Sequence, residues 1–243
     1  MEKSRRYRLL EITMIALFAA LSYVVLVVLF IPFANMYIHF GNLVVVLAAL
    51  LIGGWQGGLS GAVGMGLFDL LNGHADSAPK TFILKFLIGL TVGLVFHFFS
   101  TRKKFPSGAL LFSGIVSVTI SGAVFAYMII VNHAFGGKSA ILAPVFFGVG
   151  LLCIAFSLLK YRFSQHRAAA IMGAVCGMSV NIAGETLWKF VTYLLAGSAP
   201  GAAFTTALLG QASTLINAGI AVIGGTALFV LLEKPVKKIM NKV

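Results

Sequence analysis

Asn181, Glu185, Trp188, Lys189 and Thr192 recur at three- and four-residue intervals, which sets most of these side chains on one stripe of a helix, with Glu185 and Lys189 a turn apart. The surrounding residues are apolar. An ionisable group in hydrocarbon is costly unless it is paired or faces a polar cavity, so such a stripe marks a functional site until shown otherwise. Two readings stand. Glu185 and Lys189 neutralise one another as a structural ion pair, or they flank the indole of Trp188 as an aromatic platform for a small heteroaromatic ligand.

A second group gathers near the ends of two other apolar runs, with Asp69, Asn72 and His74 on one side and Lys80 and Lys85 on the other. Asp69 with Lys80 or Lys85 makes either a second buried pair or a polar wall. His39 and Asn42 open an apolar run that they either cap or edge as a cavity mouth. Gln211 and Asn217 are uncharged and suit interhelical hydrogen bonds as well as ligand contacts. The candidate binding set is therefore His39, Asn42, Asp69, Asn72, Lys85, Glu185, Trp188, Lys189, Gln211 and Asn217. His97 and His166 read as interfacial, and His133 falls in a loop. No His, Cys and carboxylate spacing typical of a metal site, no phosphate-binding Gly-x-x-x-x-Gly-Lys run and no nucleophile with an adjacent base is present, so neither a metal nor catalysis is expected. Cys153 and Cys176 sit within apolar runs as small buried hydrophobes.

The elements that must hold these residues are read from composition. Sixty per cent of the 243 residues are hydrophobic and 10% are charged, a balance that a water-soluble exterior does not allow. Lipid is the solvent. The net charge of +12 is spread over short segments between apolar runs, which argues against nucleic acid as a partner. Against the roughly 20 residues needed to cross a bilayer core of about 30 Å, eight apolar runs emerge: Leu9 to Phe33, His39 to Gly54, Gln56 to Leu71, Thr81 to Phe99, Ser107 to Val131, Ile141 to Leu159, Ala168 to Leu195 and Phe204 to Leu232. The second and third join through Gly53-Gly54-Trp55-Gln56-Gly57-Gly58 as a tight hairpin with Trp55 near an interface. Lys3, Arg5, Arg6, Arg8, Arg102, Lys103, Lys104, Lys160, Arg162, Arg167, Lys234, Lys237, Lys238 and Lys242 then fall on one side, fourteen of the eighteen basic residues. By the positive-inside rule that side is the cytoplasm, and it holds both termini. The polar groups lie toward the outer half. The expected fold is all-α, a single polytopic membrane domain of eight helices.

Several of these segments together resemble the substrate-binding S components of energy-coupling factor (ECF) vitamin transporters, over most of the chain. Ile12 to Leu21 is similar to the family's first helix, whose Ala-x-x-x-Ala strip docks on a transmembrane coupling subunit; Ala16 and Ala20 are the matching positions. His39-Phe40-Gly41-Asn42, Gly53-Gly54 and Gly66 to Leu71 resemble its second and third helices, Ala78 to Phe82 with Lys85 to Gly89 its fourth, and Gly184 to Lys189 with Leu209-Gly210-Gln211 and Asn217 its last two. The resemblance implies a six-helix core, residues 9–99 and 168–232, with residues 107–159 as a two-helix insertion that preserves parity.

What the resemblance implies for function is capture of a vitamin at an outward cavity in the bacterial plasma membrane. A coupling subunit and two ATPases then drive its release inward, so this chain itself needs no cofactor. The segment after the third helix looks most like the riboflavin, hydroxymethylpyrimidine and pyridoxine group. A pyridoxine or hydroxymethylpyrimidine type of ligand is favoured, with riboflavin or another B vitamin as the alternative. Ala34 to Ile38 is expected to act as a lid. Two rivals remain from the residues alone: a stand-alone secondary transporter with Asp69 or Glu185 coupling ions to solute, and a scaffold whose buried charges are only structural.

Overall fold

The structure is a computed structural model that describes residues 2–33, 36–102, 107–108, 111–112, 115, 118–119, 148, 151–158 and 163–240. Helix α1 spans Glu2–Val28 and leads into a short antiparallel hairpin, β1 (Phe30–Phe33) and β2 (Met36–His39). Then follow α2 (Gly41–Ile52), α3 (Gly54–Leu71), α4 (Ala78–Ser100), α5 (Gln165–Leu195), α6 (Pro200–Leu209) and α7 (Ala212–Met240). The chain is a helical polytopic membrane protein. Residues 5–28, 78–100, 165–195 and 212–240 are long and apolar enough to cross a bilayer.

Two compact units divide the chain, residues 1–98 with 169–243 and residues 99–168. The expected insertion belongs to the second; residues 151–158 are helical, and most of the runs from Ser107 to Val131 and Ile141 to Leu159 lie outside the described residues. All of the geometry below is in the first unit.

Three boundaries differ from those expected. The first apolar run leaves the helix at Val28, because Phe30-Ile31-Pro32-Phe33 holds two aromatics and a proline that suit an edge strand better than a helix end. The second run is helical for 12 residues only, about 18 Å at the usual rise and too short to cross a bilayer core. The last run is two helices, broken at Gly210 and Gln211. The tight junction between α2 and α3 has the form expected: Gly53 alone is non-helical, at φ +108, where any L side chain is strained.

Helices α1, α2 and α3 pack on one another and α2 packs on α7. Their shared core includes Phe18, Val45, Val46, Ile88, Met178, Ala221 and Phe229, with Phe96 edge-on to Phe229 at 5.4 Å between centroids. The α3 and α4 backbones nearly touch at one end. A Cβ at Gly89 would lie 2.3 Å from the Gly58 Cα, and one at Gly93 would lie 2.3 Å from the Gly54 Cα. Small residues permit this approach, which supplies van der Waals contact where lipid offers no hydrophobic drive.

Candidate functional site

At the other end of the α3 and α4 pair the chain turns through Asn72 to Ser77, and the two helices carry polar groups instead of glycines. The Asn72 side chain donates back to the Phe68 carbonyl at 2.8 Å and closes α3. Helix α4 begins at Ala78-Pro79, where a proline lacks only an N–H that the first turn does not need, and the Ser77 carbonyl accepts from the Thr81 N–H. These two helix ends, the hairpin, the middle of α5 and the first turns of α7 surround a cavity of about 260 Å³.

Its walls are Leu26 from α1, Tyr37 and His39 from β2, Asn42 from α2, Met65, Phe68 and Asp69 from α3, His74 and Ser77 from the turn, Lys80, Thr81 and Lys85 from α4, Asn181 and Glu185 from α5, and Ser213, Thr214 and Asn217 from α7. The hydrogen bonds across it run between helices. Lys80 Nζ donates to Glu185 Oε2 at 3.0 Å, Lys85 Nζ to Asn181 Oδ1 at 3.0 Å, and Thr81 Oγ1 to Asp69 Oδ2 at 2.5 Å. Lys85 is 4% exposed and donates to a neutral amide, with the carboxylates of Glu185 and Asp69 close enough to act on its charge. The carboxylates of Asp69 and Glu185 balance the charges of Lys80 and Lys85, and the cavity presents fixed charges of both signs within one enclosure.

Tyr37 and His74 lean together at 6.5 Å between centroids, and Phe68 is braced edge-on by Tyr23 at 6.1 Å. His39 sits on the hairpin, outside the spanning helices. Burial first, then the charge of Lys85, push its imidazole down to about 3, which keeps it neutral.

Six of the ten expected site residues are brought together here: His39, Asn42, Asp69, Lys85, Glu185 and Asn217. Four stand elsewhere. Asn72 caps α3; Lys189 donates to the Gly210 carbonyl at 2.5 Å, at the end of α6 where a cation also meets the negative end of the helix dipole. Gln211 donates to Ala207 O at 3.0 Å, and Trp188 is 43% exposed on α5. The aromatic faces at the cavity are Tyr37 and Phe68 rather than Trp188, and Glu185 is bonded by Lys80 from another helix. Asp69 bonds Thr81, with neither lysine of α4 as its hydrogen-bond donor among the described contacts.

Sequence reasoning passed over Leu26, Tyr37, Met65, Phe68, Ser77, Thr81, Ser213 and Thr214. One signal was available: Ser213, Thr214 and Asn217 lie three and four residues apart on α7, a polar stripe in an apolar helix. Tyr37 gave none, because its place depends on a hairpin inside an apolar run. The expected lid, Ala34 to Ile38, is in part strand β2; Ala34 and Asn35 lie outside the described residues. Ala16 and Ala20 are both exposed on α1, while Phe18 and Ala19 between them are buried.

Apolar helices around a cavity lined by charged and polar side chains are what the described residues present. Residues 7–141 match the family model described as ECF-type riboflavin transporter, S component, and the chain belongs to that family. Its members are transporter components and not enzymes. Comparison with curated proteins and with solved structures gives no match.

Proposed function

We propose that this chain is the vitamin-capture subunit of an ATP-driven ECF transporter in a bacterial plasma membrane, and that the cavity ringed by Asp69, Lys80, Lys85 and Glu185 is its ligand site. The carrying observation is that cavity, with charges of both signs fixed by contacts between helices, in a chain of this family. Its volume of about 260 Å³ is below the ~300–1,000 Å³ usual for ligand pockets and favours a single substituted ring. A pyridoxine or hydroxymethylpyrimidine type of molecule has that size, with hydroxyl, amine and ring-nitrogen groups to meet the carboxylates, lysines and His39. The ring stacks against Tyr37 or Phe68. The proposed contacts are His39, Asn42, Asp69, Lys85 and Glu185.

Riboflavin is the second reading, favoured by the description of the matching family. Its three-ring system is larger than the single ring that a cavity of about 260 Å³ favours. Ala16 and Ala20, exposed on α1, form the proposed strip for the coupling subunit, which with two ATPases supplies the energy. The basic segments support a cytoplasmic side for both termini.

Mass spectrometry of the molecule retained by the detergent-solubilised chain tests this, followed by calorimetric titration with pyridoxine, hydroxymethylpyrimidine and riboflavin. Retention of a one-ring vitamin is expected, with affinity down to the nanomolar range, about 12 kcal/mol, for a nearly enclosed ligand. An empty preparation that binds none of the three sinks the capture role. Uptake by the chain alone in liposomes, lost when ion gradients collapse, would instead establish a secondary transporter.

A further inference from the structure

Strand β2 is paired with β1 along one edge, in the register Phe30 with His39, Ile31 with Ile38 and Pro32 with Tyr37. Alternate residues of a strand direct their backbone groups to opposite edges. Pro32 has no N–H, so β1 cannot donate to the Tyr37 carbonyl from the position that faces it. The Tyr37 carbonyl and the His39 N–H point instead to the open edge. There they meet one side chain: Asn217 Nδ2 donates to Tyr37 O at 3.0 Å, and the His39 N–H donates to Asn217 Oδ1 at 2.9 Å.

A carboxamide is a peptide group in miniature, with one acceptor and a donor at its two ends. It engages residues i and i+2 of β2 in the manner of a neighbouring parallel strand. Asn217 is 5% exposed, on the face of α7 that packs against β2, so the contact is held in a low dielectric where each bond is expensive to lose. The two backbone groups belong to the two hairpin residues that face the cavity, Tyr37 and His39.

We propose that Asn217 is a positioning residue that stands in for a third strand: it latches β2 to α7 and thereby sets how long a captured ligand stays in the cavity. This rests on the reading of the cavity as the ligand site. Asn217 then acts on release more than on recognition. When both hydrogen bonds of the carboxamide break, β2 loses its polar tie to α7, Tyr37 and His39 leave the wall together, and the ligand escapes through the gap they vacate.

The test compares the full chain in lipid nanodiscs with Asn217→Leu, which keeps the size and loses both bonds, and Asn217→Asp, which keeps the acceptor for the His39 N–H and loses the donor to Tyr37. Amide hydrogen exchange resolved at His39, without ligand, should be about tenfold faster or more in Asn217→Leu and close to wild type in Asn217→Asp. Pyridoxine, hydroxymethylpyrimidine and riboflavin are then the probes for rates. Whichever the wild type binds should dissociate about tenfold faster from Asn217→Leu, with an association rate altered by less than about twofold. Unchanged His39 exchange in Asn217→Leu, with ligand binding intact, overturns the latch. Equal loss of protection in the Asp and Leu variants overturns it too, since the acceptor is then irrelevant, and that comparison holds even if the Leu variant folds poorly. A wild-type chain that binds none of the three probes overturns the residence-time role together with the ligand reading, and the His39 exchange in that same protein tells the two failures apart.

Discussion

Helices α3 and α4 run side by side and meet in opposite ways at their two ends. At one end Gly54 and Gly58 lie against Gly93 and Gly89, backbone on backbone, with no space for a single methyl group. At the other, Asp69 reaches Thr81 through side chains, Lys80 and Lys85 turn toward α5, and the space between the elements is the cavity. The same pair of elements thus supplies a closed seam and an open mouth. Side-chain size decides which is which. Glycine lets the backbones converge, and the longer polar residues hold them apart at the place where a ligand can be met by charge.

The closed end should be the less forgiving. Gly89→Leu sets a branched side chain where even a Cβ lies 2.3 Å from the Gly58 Cα, and the loss of stability is expected to exceed about 3 kcal/mol, enough to prevent recovery of folded protein. Thermal unfolding in detergent measures it. Gly219→Ala on α7 is the matched control, because a Cβ there meets nothing within 4 Å, and it should leave the midpoint unchanged or slightly raised. Equal tolerance at both positions would break the idea of a closed seam.

At the open end the largest effect belongs to Lys80→Met. It removes the hydrogen-bond donor of the Glu185 carboxylate, whose side chain is 18% exposed, and with Lys85 still nearby should cost about 1 to 3 kcal/mol in stability or ligand affinity. Adding Glu185→Gln should recover stability and leave the affinity low, because the pair is then neutral but no longer charged toward the ligand. A double-mutant cycle with no coupling between the two positions would show that the pair does not act as a unit. Thr81→Val is milder. It removes the donor to Asp69 while Asp69 keeps access to the cavity, and about 1 kcal/mol is expected by the same titration.

Of the closed end the sequence announced only the tight glycine junction before α3, and of the open end only the charges, for a physical reason. Apolar length is local, and it fixes helices through the bilayer itself. Asp69, Lys85 and Glu185 stood out because charge within an apolar run has a cost that any fold must meet. Their partners did not. Glu185 has Lys189 one turn along its own helix, yet Lys80, 105 residues away, supplies its hydrogen bond, since the way α4 lies against α5 is a matter of tertiary packing. Trp188 has chemistry suited to a ring ligand but is 43% exposed and not among the residues lining the cavity. Tyr37 was hidden by a hairpin that an apolar run does not announce.

The smallest effect on the cavity is expected from the side of α1 that faces away from α3. Ala19 packs so closely that its carbonyl would stand 2.2 Å from a Cβ at Gly64, while Ala16 and Ala20 are exposed among Ile12, Leu17 and Leu21. Small residues on the inner face serve packing within the chain; small residues on the outer face leave a shallow strip with no partner from this chain's described residues. Ala16→Trp or Ala20→Trp should therefore leave ligand affinity within about twofold of wild type, because both alanines are exposed and neither lines the cavity. ATP-driven uptake by the assembled transporter should be lost, since a bulky ring keeps a second helix from approaching. Uptake that survives in both variants would leave the outer alanines as ordinary lipid-facing residues, and the contrast between the two faces of α1 would concern packing alone.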